Sequence, residues 1–71
     1  MTGYAVVIEH EGDSWGAYAP DLPGLGVAGS SRAEVEELVR EAIEFHIEGL
    51  REAGEPIPPP TAEAIVVIQV A

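Results

Sequence analysis

Two proline- and glycine-rich breaks constrain this chain more than any other feature. Pro20-Asp-Leu-Pro-Gly24 and Gly54-Glu-Pro-Ile-Pro-Pro-Pro60 interrupt its 71 residues on either side of one long regular segment. Proline lacks a backbone donor and fixes φ near about −65°, so neither break can lie inside a helix or a central strand. The segment between them predicts a helix. Ser31-Arg-Ala-Glu34 reads as a capping box: the serine hydroxyl accepts from the Glu34 N–H, and the glutamate reaches back to the Ser31 N–H. Glu34, Glu36 and Glu37 complement the positive end of the helix dipole. Gly54 is placed to close the helix, and Pro56 forbids continuation.

At about 100° per residue, Val35, Leu38, Val39, Ala42, His46, Gly49, Leu50 and Ala53 share one helix face. Glu37, Glu41, Glu44 and Glu48 fall opposite. Ile43, Phe45 and Ile47 lie at the edges and widen the apolar arc beyond what one sheet needs, a first hint of a subunit contact.

The flanking stretches read as strands. In Tyr4–His10, Tyr4, Val6, Ile8 and His10 alternate with Ala5, Val7 and Glu9. Glu11-Gly-Asp-Ser14 is a polar turn in which Gly12 is free to take positive φ, and Trp15–Ala19 returns as the second half of a hairpin. Leu25–Gly29 forms a short third strand, weakened by its glycines. Residues 55–61 are extended by their prolines. Ala64–Val70 is apolar on both sides, which suits a strand buried on both faces. The expected order is β-β-β-α-β, an α+β class with a single domain over residues 1–71. Three strands are antiparallel, and the helical crossover lets the last lie parallel to the first.

A chain this short buries only about 60% of the surface its unfolded form exposes. It has no cysteine, and its two histidines fall short of the four ligands usual in a structural zinc site. Self-association is the remaining common source of extra burial, so a homo-oligomer, dimer or larger, is expected. Thirteen acidic residues against three arginines give a net charge of −10. Such a surface repels phosphate backbones and attracts basic proteins, so a nucleic-acid partner is disfavoured. No apolar run approaches the roughly 20 residues a membrane span needs. Met1-Thr2-Gly3 leads directly into a strand, leaving no room for a signal peptide, and a cysteine-free chain suits the cytoplasm.

Several residues taken together carry a family resemblance. A short apolar strand ends at Glu9, a glycine turn and an aromatic strand follow over Gly12–Tyr18, and Pro20-Asp21-Leu22-Pro23-Gly24 stands unbroken. Gly29 then precedes the hydroxyl residues Ser30 and Ser31 at the helix start, and Gly54, Ile57, Pro58 and Pro60 fit a Gly-x-x-Ile-Pro-x-Pro stretch after it. The whole chain resembles antitoxins of the HicB family. That resemblance implies a partial ribonuclease H-like fold, often dimeric or higher, and neutralisation of HicA, a small basic toxin that cleaves mRNA. Relatives usually continue into a DNA-binding helix-turn-helix or ribbon-helix-helix segment, whereas this chain stops at the last strand, so operator binding is not carried over. Leu25 stands where relatives often have cysteine or an aromatic residue, and reads as a core substitution. The alternative function is a free-standing oligomeric domain with a structural or small-ligand role and no toxin.

Ribonuclease H-like enzymes hold two metal ions with several carboxylates. Glu9, Asp13, Asp21 and Glu34 are the candidates here. The helix segment expected to supply further ligands is missing, and fold analogy alone is a weak warrant for activity. These side chains read instead as solvated or capping groups. No catalytic residue, metal or cofactor is expected. His10 and His46 read as packed residues rather than ligands or bases. No triad is suggested, and Gly24-Leu-Gly26 precedes a strand, so it is not a phosphate loop. Pro20, Asp21, Leu22, Pro23, Gly24, Gly29, Ser31, Ile57, Pro58 and Pro60 are therefore structural. The candidate partner-binding residues are Trp15, Tyr18, Glu37, Glu41, Glu44 and Glu48. Trp15 and Tyr18 should point to opposite sheet faces; core placement of both is preferred, and whichever lies outside the core could anchor an interface. The glutamates read first as a solvated face, and their like-charge spacing argues weakly for a partner.

Overall fold

The Gly12-Asp13 turn sets the register of everything before the helix. The computed structural model describes residues 3–61. In it β1 (Val7–Glu11) pairs antiparallel with β2 (Ser14–Tyr18), with Glu11 opposite Ser14 and Val7 opposite Tyr18. A two-residue connection with Gly12 at φ 59° and Asp13 at negative φ suits the hairpin turn that needs glycine first. β3 (Gly26–Gly29) adds antiparallel to the other side of β2, giving the order β1-β2-β3. Helix α1 (Arg32–Glu52) follows. The α+β class and the three antiparallel strands are as expected. The expected fourth strand, Ala64–Val70, lies outside the described residues.

Five strand boundaries differ from those expected: β1 ends one residue later, β2 begins and ends one residue earlier, and the starts of β1 and β3 move inward for reasons of pairing. β1 was expected to begin at Tyr4 and begins at Val7. Its ladder extends only as far as Tyr18, beyond which Ala19 and Pro20 turn away from the sheet. Leu25 drops out of β3 because its N–H is donated to the Leu22 carbonyl at 3.2 Å, in a turn.

The helix packs over β2 and β3. Ala17, Val35 and Val39 form the centre of the core, with Val6, Ile8, Trp15, Leu25, Val27 and Ile43 partly buried around them. The expected helix face is correct in orientation, but its burial does not last. Leu38, Ala42, His46 and Leu50 are half-buried, and Gly49 and Ala53 are exposed. The cause is length. Twenty-one helical residues span about 31 Å at the usual rise per residue. A five-residue strand spans only about 17 Å. The fully covered residues Val35 and Val39 both lie in the first half of α1, and the second half extends past the three described strands.

Candidate partner-binding surface

The Pro20–Gly24 element is a pair of consecutive β-turns sharing Leu22. The Leu22 N–H donates to the Ala19 carbonyl at 3.0 Å, and the Leu25 N–H donates to the Leu22 carbonyl. Each turn places proline second, where its fixed φ is already correct. Gly24 takes φ 85° in the second turn, the position that admits glycine in a type II turn. The shared residue turns inward: Leu22 is 1% exposed, with Ala19 buried beside it. Asp21, half-buried beside it, accepts from Thr61, from its N–H at 2.9 Å and its hydroxyl at 2.7 Å. The Tyr4 hydroxyl donates to the Pro58 carbonyl. Asp21 and Thr61, 40 residues apart in sequence, thereby tie the first proline-rich break to the end of the second. Pro58 and Pro60 are half-buried there, while Ile57 is exposed.

The helix start departs from the expected capping box by one residue. Ser31 Oγ accepts from the Glu34 N–H at 3.1 Å, as expected. The Glu34 carboxylate, however, accepts from the N–H of Ser30 at 2.8 Å, not from that of Ser31. Gly29 makes this possible, because a Cβ there would overlap the Glu34 carboxylate. At the other end, the Glu55 N–H donates to Leu50 and the Gly54 N–H to Arg51, with Gly54 at φ 69°. That is the Schellman arrangement, closed by the glycine foreseen for it.

The aromatic candidates separate as their alternation requires. Trp15 lies on the helix side of the sheet, half-buried, and its ring stacks on that of His10 at 3.9 Å between centroids. Tyr18 is 41% exposed, which overturns the preference for both being core. Among the described residues no helix covers its face of the sheet. Glu37, Glu41, Glu44 and Glu48 are all exposed.

The carboxylates weighed as metal ligands are not brought together. Glu34 is committed to the helix cap and Asp21 to Thr61. Glu9 lies on the sheet and Asp13 in the hairpin turn. Among the described residues no group of three or more His, Cys, Asp or Glu could hold a metal ion. None of the described helices is long and apolar enough to cross a membrane.

A groove absent from the sequence reading runs between β1 and α1. Tyr4, Val6, Ile8, Val39, Ile43 and Ile47 supply its apolar lining. Arg32, Arg40 and Arg51, the chain's entire complement of arginine and lysine, all border it. Arg32 pairs with Glu36 at 3.3 Å in an exposed bridge. The signal for this was available, since the three arginines fall within about 100° of one another on a helical wheel. All the lysine and arginine side chains of the protein thus lie on one flank of α1, where Glu36 and Glu44 stand among them.

These features fit what comparison with known proteins finds. Residues 4–69 match the family model described as HicB_like antitoxin of bacterial toxin-antitoxin system, and the chain belongs to that family. It is also 40% identical over 55 residues to the uncharacterized 14.9 kDa protein in the rep-hol intergenic region of Haemophilus phage HP1 (strain HP1c1). That alignment covers 78% of this chain and 41% of the phage protein, so the chain spans about two-fifths of its relative's length. No solved structure matches.

Proposed function

We propose that this protein is the toxin-binding part of an antitoxin and neutralises a small, basic, mRNA-cleaving toxin of the HicA type by covering it, with no catalysis of its own. The match to the antitoxin family over residues 4–69 carries this reading. The net charge of −10 supports it, since such a surface favours a basic protein over a phosphate backbone. The setting is the cytoplasm, where such a toxin meets mRNA. The test is coexpression with the small basic reading frame beside this gene. Growth rescue and co-purification are expected; the absence of both, or of any such neighbour, would overturn the proposal.

The same reading includes a complete partial ribonuclease H-like sheet in which residues 64–70 lie alongside β1 and parallel to it. Three observations support this. β1 is an edge strand of the described sheet, the groove beside it is apolar, and Thr61 is held by Asp21 at the end of the sheet where β1 begins. Seven extended residues span about 23 Å, and the groove runs from Arg32 to Arg51, a helix length of about 29 Å. Nuclear Overhauser contacts between β1 and residues 64–70 in parallel register are expected. An antiparallel pattern, or none, would refute this placement.

A further inference from the structure

Phe45 is 81% exposed, far above Tyr18 and Ile57, the other exposed large apolar residues among those described. It sits on the half of α1 that extends past the described strands, where none of them can reach it. Its helix neighbours three and four positions away are Glu41, Ala42, Glu48 and Gly49. Both glutamates are exposed, Ala42 is half-buried, and a Cβ added at Gly49 would meet nothing within 4 Å. The ring therefore stands beside an open notch, in an acidic rim. Of the three arginines only Arg51 comes to the edge of this flank, where it lines a shallow pocket with Glu44, Glu48 and Glu52; Arg32 and Arg40 border the groove on the other side of α1.

We propose that the Phe45 flank of α1 is a docking surface for a basic protein, with the ring as its apolar anchor and Glu41 and Glu48 as its charged rim. The proposal rests on the antitoxin reading and assigns the toxin contact to this surface. Charge decides between occupants. A second copy meeting this flank with its own would set Glu41 and Glu48 against the same residues, with only Arg51 at the edge to offset them, a net repulsive arrangement for an isologous contact. A basic surface gains from the same carboxylates on approach, and an exposed aromatic at the centre of a polar rim is the usual form of an interface hot spot.

The experiment measures binding of the adjacent small basic protein to the full chain and to variants, by titration at two salt concentrations. Phe45→Ala should weaken binding at least tenfold without moving the thermal midpoint of the free chain, since the ring is not part of its core. Glu48→Lys should weaken binding and reduce its salt dependence. Glu9→Lys makes the same charge change on the sheet face away from the helix and should have a much smaller effect. Wild-type binding with Phe45→Ala unchanged would overturn this surface and leave the antitoxin reading intact. Equal losses in Glu9→Lys and Glu48→Lys would also overturn it, as an effect of net charge alone. Loss of self-association in Phe45→Ala, without a partner present, would reassign the surface to a contact between copies. If the wild-type chain binds no such protein, the antitoxin reading fails and this surface falls with it.

Discussion

Leu22 shows how much one residue in a loop can contribute. Two turns that break the chain out of β2 also hold this side chain at 1% exposure. Leu22→Ala should destabilise the protein by about 3 kcal/mol, the middle of the range for a buried leucine, as measured by urea unfolding. That is a large share of the roughly 5–15 kcal/mol by which domains are usually stable. Gly29 works differently, by leaving room for its neighbour. Gly29→Ala should cost about 1 kcal/mol by displacing the Glu34 carboxylate from the Ser30 N–H. In a Glu34→Ala background that bond is already gone. Gly29 is not at positive φ, so alanine there should then be neutral or slightly stabilising, because it restricts the unfolded chain. A double-mutant cycle with no coupling between the two sites would refute this account of the glycine. The motif residues were legible in the sequence, but their partners were not. Asp21 to Thr61 and Glu34 to Ser30 depend on where the backbone passes after it turns.

The helix is the element most fully legible from sequence. Serine at one end and glycine at the other act within one turn of chain, so both boundaries follow from local chemistry, to within a residue. The strands were less legible because a strand ends where its partner ends. β1 stops short of Tyr4 only because β2 leaves the sheet after Tyr18. Burial along α1 was the least legible of all. A helical wheel gives direction but not how far the covering strands extend, and here the described strands are about half as long as the helix. That difference makes Gly49 informative. With open space around it and a helical backbone, Gly49→Ala should raise stability by about 0.5–1 kcal/mol, the propensity difference between the two residues, seen as a higher thermal midpoint. A lower midpoint would mean that something packs against that position.

At the scale of the whole molecule, smallness and charge distribution dominate. Only five apolar residues are buried among those described, and two of them are alanines. A core of that size gains from any further apolar contact, so a dimer or larger assembly is expected in light scattering at micromolar concentration. A monomer there would show that this core suffices alone. The sequence by itself determined the class of fold, the single capped helix, the hairpin and the acidic balance, because each rests on local backbone chemistry or on composition. Tertiary structure alone decided that the two proline-rich breaks meet, that Tyr18 faces outward while Trp15 packs inward, that the arginine flank of α1 borders an apolar groove, and that Phe45 stands clear of the described strands. Those outcomes depend on the relative lengths and placement of elements distant in sequence, which no local pattern encodes.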